Sequence, residues 1–254
     1  MMKEIITKER FEALCSAESY LLSALSEEEG IGIYNEKRLH KILKRCISER
    51  ESCFEVKVGK YTADVLLDGH IYEIQCAGLY PLKDKIAYYL GETDYEITVV
   101  HPLIVKRTII RAERETGEVA RMRRSPKKER VEDILPMLFH LAHAFESGRF
   151  SLCLVSVEVE EYRYSEAVRY RKSGKYDSEL FPTTLVGIEE LSSPRDFERF
   201  IPEELRGREF SPAEYIPHTP LKARDAYSAL KFLAEVGLLK RGKDGRRVLY
   251  RTVD

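Results

Sequence analysis

Tyr61-Thr62-Ala63-Asp64-Val65-Leu66-Leu67-Asp68-Gly69-His70-Ile71-Tyr72-Glu73-Ile74-Gln75-Cys76 is the stretch on which the fold turns. Two runs rich in β-branched, aromatic and aliphatic residues flank Asp68-Gly69, the dipeptide preferred in a two-residue type I′ turn. With Asp68 and Gly69 as the loop, Leu67 pairs with His70. Counting outward, Asp64 lies opposite Glu73, and Thr62 opposite Gln75 on the same face. Two like charges about 5 Å apart repel by roughly 3 kcal/mol at an effective dielectric near 20. A cation between the carboxylates would remove that cost, and carboxylate oxygens are the ligands that Mg²⁺ accepts. The competing reading turns Asp64 to solvent and pairs Glu73 with a nearby Lys or Arg.

Asp64 followed by Glu73-Ile74-Gln75 resembles the PD-(D/E)XK phosphodiesterase superfamily. Its core is an acidic residue on one strand and an acidic-x-Lys on the next. The resemblance implies a metal site at Asp64 and Glu73 holding Mg²⁺ or Mn²⁺, with the Ile74 carbonyl as a further ligand. A Glu on a preceding helix often completes such a site, and Glu36 stands in that place. Asn35 is a plausible N-cap. Leu39, Ile42, Leu43, Cys46 and Ile47 then follow at the spacing of a buried helical stripe. The alternative for Glu36 is a first-turn carboxylate complementing the helix dipole. The third signature position carries Gln75, where the superfamily usually has Lys. Gln can orient a water but brings no charge to the developing anion. Asn35 to about Asp133 also resembles an uncharacterised bacterial family with the same Glu-Ile-Gln signature, a basic Ser-Pro-Lys segment and a C-terminal winged helix.

Composition suits a globular chain with a core: 254 residues, 43% hydrophobic and 33% charged. No apolar run approaches the ~20 residues that span a bilayer, and the first residues lack a signal-peptide apolar region. These readings exclude a membrane partner and place the chain in the cytoplasm. Cys15, Cys46, Cys53, Cys76 and Cys153 show no zinc spacing. Cys15, Cys46 and Cys153 fall on apolar faces as small core residues. His140 and His143, at i and i+3, are better read as core or surface residues than as a metal pair. The formal net charge of −1 hides two basic regions. Between Lys106 and Arg130 ten basic residues face four acidic ones; between Lys222 and Arg251 nine face three. Such regions in a neutral chain suit polyanion contact, against the alternative of a solvated charged surface.

Along the chain, Thr7–Leu25 reads as an amphipathic helix, with Phe11, Leu14, Cys15, Leu21, Leu22 and Leu25 on one side. A strand is expected at Phe54–Val58. A short helix opens at Pro81 and stops at Gly91; Lys83 and Lys85 on it are candidates to face a substrate, as the superfamily's corresponding helix often does. Tyr95–Val100 is a strand, Ile104–Glu113 and Val119–Arg123 a second hairpin around Thr116-Gly117, and Val131–Phe145 a helix. Leu152–Val159 is a strand with Cys153, Val155, Val157 and Val159 on one face. Tyr162, Tyr164, Tyr170 and Tyr176 interleave with basic residues in a less legible segment, a pattern that suits nucleic-acid stacking or an exposed strand pair equally. The last ~45 residues resemble a winged helix. Ser211-Pro212 opens it, Leu221–Val236 is its main helix with Ala223, Ala226, Tyr227, Leu230, Leu233 and Ala234 inward, and Gly237 is the C′ residue. Leu238–Arg241 and Arg246–Arg251 form the wing.

The expected architecture is α/β: a mixed-sheet, restriction-endonuclease-like core flanked by helices, with a winged-helix domain after it. The divisions are 1–30 for an N-terminal helix, 31–200 for the nuclease-like domain and 208–254 for the winged helix. The leading functional expectation is a metal-dependent nuclease hydrolysing DNA, with Asp64, Glu73, Gln75 and Glu36 as its catalytic group. Arg121, Arg123, Arg124, Lys127 and Lys128 would grip phosphates beside the metal. Lys222, Arg224, Lys231, Arg246 and Arg247 would contact duplex DNA, with RNA as an open alternative. One rival is an inactive nucleic-acid-binding protein or transcriptional regulator on the same fold. Another is an interaction scaffold whose winged helix forms a homodimer.

Overall fold

A computed structural model of the chain describes residues 2–25, 34–113, 119–164 and 178–253. Its centre is a seven-stranded mixed sheet in the order β1-β2-β3-β4-β6-β7, with β5 also paired to β4. The strands are β1 Phe54–Val58, β2 Tyr61–Leu67, β3 His70–Ile74, β4 Glu96–Ala112, β5 Val119–Arg124, β6 Phe150–Tyr164 and β7 Ser178–Leu191. β4 runs parallel to β3 and to β6; the other pairings are antiparallel. Asp68 and Gly69 have φ of 49° and 81°, the double left-handed conformation of a type I′ turn, and Leu67 pairs with His70.

The two sheet faces bury separate clusters. One face carries α1 (Met2–Ile5), α2 (Lys8–Leu25) and α3 (Tyr34–Ile47). The stripe expected on α3 is the one buried: Leu39, Ile42, Leu43, Cys46 and Ile47. Cys153, Val155, Val157 and Val159 of β6 meet it from the sheet. The other face carries α4 (Lys83–Glu92) and the segment 131–146. α4 follows a 3-10 turn over Tyr80–Leu82 and continues through Gly91. Arg149 ties down its end by donating to the carbonyls of Leu90, Thr93 and Tyr95.

Two sequence expectations change here. The strands expected at Tyr95–Val100 and Ile104–Glu113 are one 17-residue strand that passes through Pro102. Val100 O and Ile104 N both point toward the β3/β5 side. The N–H that Pro102 lacks would point the same way, into the interval where β3 has ended and β5 has not begun. Residues 131–146, expected as an α-helix, form two 3-10 stretches, Val131–Met137 and Phe139–Glu146. Pro136 inside the first removes a donor and clashes with the preceding turn.

The C-terminal part adds β8 (Glu209–Phe210), α5 (Pro212–Tyr215), α6 (Ala223–Glu235), β9 (Leu239–Asp244) and β10 (Arg247–Thr252), with a three-stranded sheet in the order β8-β10-β9. Ser211 caps α5 through a reciprocal bond with Glu214. Gly237, at φ 81°, ends α6 with Leu238 N–H bonded to Leu233 O and Gly237 N–H to Ala234 O. The buried face of α6 is Ala226, Ala229, Leu230, Phe232 and Leu233; Tyr227, expected inward, is exposed, as is Ala223. α6 packs on the 131–146 segment, so Phe232 joins Phe145 and Phe197 in the same cluster as the sheet. Among the described residues no helix is long and apolar enough to cross a membrane.

Candidate functional site

The β2–β3 ladder runs Leu67–His70, Leu66–Ile71, Val65–Tyr72 and ends there. Asp64 and Glu73, expected as the next pair, are not ladder partners. Asp64 instead turns its carboxylate across the gap, where Oδ2 accepts the Ile74 N–H at 2.8 Å. The departure has a physical reason: two carboxylates directly opposed in a poorly solvated position repel, and here one of them gains a backbone donor by leaving the ladder. His40, one turn after Glu36 on α3, donates Nε2–H to the same Oδ2 at 3.2 Å. Both of these bonds fall on Oδ2; Oδ1 accepts none among the described residues. The Asp64 side chain keeps 19% of its surface exposed.

Glu73 is 1% exposed and has two partners. Lys85 Nζ, from α4, lies 2.5 Å from its Oε2, and the Tyr89 hydroxyl donates to Oε1 at 3.3 Å. Lys85 and Tyr89 are i and i+4 on α4, so they leave the helix on one side. Ile86 and Tyr89 are buried in the sheet cluster and hold that side against β3. The reading that paired Glu73 with a nearby cation therefore holds, and it holds beside Asp64, because the two carboxylates feel each other's charge.

Their protonation is split. Burial and then the Asp64 charge push the Glu73 carboxyl up to about 7, against the opposing pull of Lys85 and Tyr89. Burial also pushes Asp64 up. The hydrogen bonds from His40 and Ile74, with the His40 and Lys85 charges, outweigh it and leave Asp64 below the usual carboxylate range. At neutral pH the cluster thus pairs an ionised Asp64 with a Glu73 poised to gain or lose a proton. Burial and Glu73 together raise the Tyr89 hydroxyl, which stays a donor.

Gln75 Nε2 donates to Gly78 O at 2.9 Å, and the Gln75 backbone carbonyl accepts from His101 Nδ1 at 2.6 Å. Gln75 closes the turn that follows β3. Glu36 lies in the first turn of α3, and its side chain lies outside the described residues. Asn35, read as a cap, lies inside the helix. His40 was missed by the sequence reading, although its place one turn after Glu36 on the stripe-bearing helix was a usable signal. Lys85 was noted only as a possible substrate contact.

Arg121, Arg123, Arg124, Lys127 and Lys128 are exposed on β5 and the connector after it. The β5 arginines lie far along the sheet from the carboxylates; Lys128 is nearer, since its neighbour Glu129 bonds Ile104 of β4. Glu73 pairs with Val99 on β4, whereas Arg124 pairs with Thr108, nine positions along the same strand. At about 3.3 Å per residue that is roughly 30 Å. Lys222 is exposed at the N-cap of α6, Arg224 and Lys231 on the helix, and Arg246 and Arg247 at the turn into β10. Thr116-Gly117, Tyr170, Tyr176 and the basic residues between those tyrosines lie outside the described residues. Cys15, Cys46 and Cys153 are buried thiols outside any disulfide, pushed up to about 12, burial being the main cause. His140 packs edge-on against Tyr80 and Phe139.

Among the described residues no group of three or more His, Cys, Asp or Glu is arranged to hold a metal ion. Asp64 and Glu73 are the residues that could hold a hard cation here. Asp64 offers an oxygen without a described donor, and the mutual repulsion of Asp64 and Glu73 is what a divalent charge relieves. A family model described as Domain of unknown function (DUF8091) matches residues 37–192, more than half of the chain. No curated protein and no solved structure matches it. The chain belongs to that family of unknown function.

Proposed function

We propose that this member of the family is a metal-dependent nuclease that hydrolyses phosphodiester bonds of DNA at the Asp64–Glu73–Lys85 centre. The observation that carries the reading is the position of Lys85. Its ammonium meets Glu73 at 2.5 Å from a neighbouring helix. It supplies beside the carboxylates the positive charge that the signature lacks at Gln75. Asp64 and Glu73 would hold Mg²⁺ or Mn²⁺, with the Glu36 carboxylate as the expected third ligand. A divalent cation there supplies an activated water and polarises a phosphoryl oxygen.

The chain's own groups divide the remaining work. His40 and the Ile74 N–H keep Asp64 ionised and oriented through Oδ2, which leaves Oδ1 for a ligand. Lys85 presents its charge to negative charge developing on the phosphoryl oxygens. Glu73 would share the cation with Asp64, its carboxylate oriented by Lys85 and the Tyr89 hydroxyl. The C-terminal β8–α5–α6–β9–β10 unit supports a winged-helix reading, with Lys222, Arg224, Lys231, Arg246 and Arg247 exposed to contact phosphates.

A second reading, a nucleic-acid-binding protein without catalysis, is favoured by one observation: Glu73 is sealed under Lys85 and Tyr89. Thermal melting and plasmid nicking separate the two. A native-state ligand at a hundred times its Kd adds about 2.7 kcal/mol, so millimolar Mn²⁺ should raise the wild-type Tm by several degrees, and Asp64→Asn should abolish the rise. Lys85→Met should slow Mn²⁺-dependent nicking by about 100-fold or more. A wild type that gains no Tm from Mn²⁺ and leaves supercoiled DNA intact sinks the nuclease reading.

A further inference from the structure

The basic ribbon is too far from the carboxylates to hold the phosphate being cut, yet it has the features of a contact surface. Arg111 of β4 stands directly opposite Arg121 of β5, and Arg123 and Arg124 follow on the same strand. Directly opposed like charges destabilise a strand pair. All six residues of β5 are exposed. Arg111, Arg121, Arg123 and Arg124 make no ion pair among the described residues. Their neighbours have acidic partners: Lys106 is bound to Glu158, and Arg107 shares Glu161 with Arg163. Four arginines without acidic partners among the described residues thus stand on one strand pair, Arg111, Arg121 and Arg123 on one face and Arg124 on the other, in a chain whose net charge is −1. The sheet holds them in register with the centre, since one continuous strand, β4, pairs with β3 at one end and with β5 at the other.

The spacing selects the partner. Val99, level with Glu73, lies nine positions from Thr108, the partner of Arg124, and twelve from Arg111, the partner of Arg121. At about 3.3 Å per residue the arginines sit roughly 30 to 40 Å from the carboxylates. One turn of B-DNA is about 34–36 Å. A duplex that touches both places would meet them about one helical turn apart. We infer that the β4–β5 ribbon is a remote phosphate clamp for double-stranded DNA. It grips the duplex about one helical turn from the centre, so the substrate is a duplex longer than about ten base pairs. The inference rests on the nuclease reading for what happens at the centre and on the ribbon alone for binding.

The test uses the full chain and the double variant Arg121→Glu/Arg123→Glu, whose exposed positions leave the core intact. Anisotropy without divalent cations measures affinity for a duplex of about 24 base pairs and for one of about 8, shorter than a turn, across a salt series. The wild type should bind the longer duplex at least about tenfold more tightly than the shorter. The variant should lose at least about tenfold on the longer duplex, and its plot of log K against log salt should be shallower by about two, at ~0.9 per lost phosphate contact. Its Mn²⁺-dependent Tm rise should match the wild type's, because the centre is distant. Unchanged affinity and slope in the variant overturn the inference. So does equal wild-type affinity for both lengths, or a Mn²⁺ response lost together with binding. Polyglutamate competing as well as duplex at equal charge also overturns it and assigns the ribbon to an acidic protein. If the variant loses duplex binding while the wild type shows neither nicking nor a Mn²⁺ response, the clamp stands and the nuclease reading falls.

Discussion

Glu73 shows how one buried carboxylate acquires two dependencies. Its folded pKa, about 7, lies above the ordinary 4.5, with burial the first cause and Asp64 the second. A raised acid binds its proton more tightly in the folded state. Its contribution to stability is therefore full below about 4.5 and is lost as pH rises through about 7. Between those values the loss is on the order of 3 kcal/mol. Glu73→Gln removes the titration, so melting temperatures of the variant should fall less than those of the wild type from pH 4.5 to 7.5. Parallel curves would show that Glu73 is not the group responsible. Asp64, held below its ordinary value, acts in the opposite sense: its stabilisation is present above about 3.8 and is lost as pH falls further. Lys85→Met leaves Glu73 buried without its cation. Glu73 then takes up a proton at neutral pH, so the loss should be about 1–3 kcal/mol, that of a charged hydrogen bond, and Glu73→Gln in the same chain should add little to it. Denaturant unfolding of the two single variants and the double variant measures the coupling; additive losses would mean that the pair does not interact.

Among the elements, the turns were the most legible. Asp68-Gly69 and Gly237 adopt the left-handed conformations expected of them, because a φ above zero is decided by the residue's own sterics. Gly59, at φ +59°, adds a case that only packing shows: a Cβ there would overlap the Tyr88 hydroxyl. Gly59→Ala should therefore destabilise by about 1–3 kcal/mol, and Tyr88→Phe, which removes the obstructing oxygen, should recover part of it in a chemical melt. The stripe on α3 was legible from periodicity, whereas α6 presents a side rotated from the one expected. Ala223 and Tyr227 fit a 3.6-residue pattern as well as Ala229 and Phe232 do, and the choice belonged to Phe145 and Phe197, which meet Phe232. Two boundaries turned on prolines: the strand expected to stop at Val100 continues through Pro102, and the helix expected over Val131–Phe145 is 3-10 around Pro136.

At the scale of the whole molecule, the C-terminal elements share their core with the sheet. Phe145, Phe150, Phe197 and Phe232 form a chain of edge-on ring contacts from β6 to α6. Phe232→Ala should cost about 3–5 kcal/mol and lower a single cooperative transition in calorimetry. Two separate transitions, with only one of them shifted, would contradict a shared core. The same connectivity sets the distance between the centre and the basic ribbon, since β4 pairs with both β3 and β5. The sequence by itself determined the local pieces: the type I′ hairpin, the amphipathic stripe of α3, the alternation of β6, the caps at Ser211 and Gly237, and the candidacy of Asp64 and Glu73. Each depends on residues within a turn or two of one another, where backbone sterics and side-chain period act without outside help. Only the tertiary structure decided that Asp64 bonds Ile74 and His40, that Lys85 meets Glu73, and that the arginines of β5 lie roughly 30 to 40 Å along the sheet from Glu73. Those outcomes depend on which distant segment is packed alongside, and burial, charge pairing and strand register across the sheet make that selection.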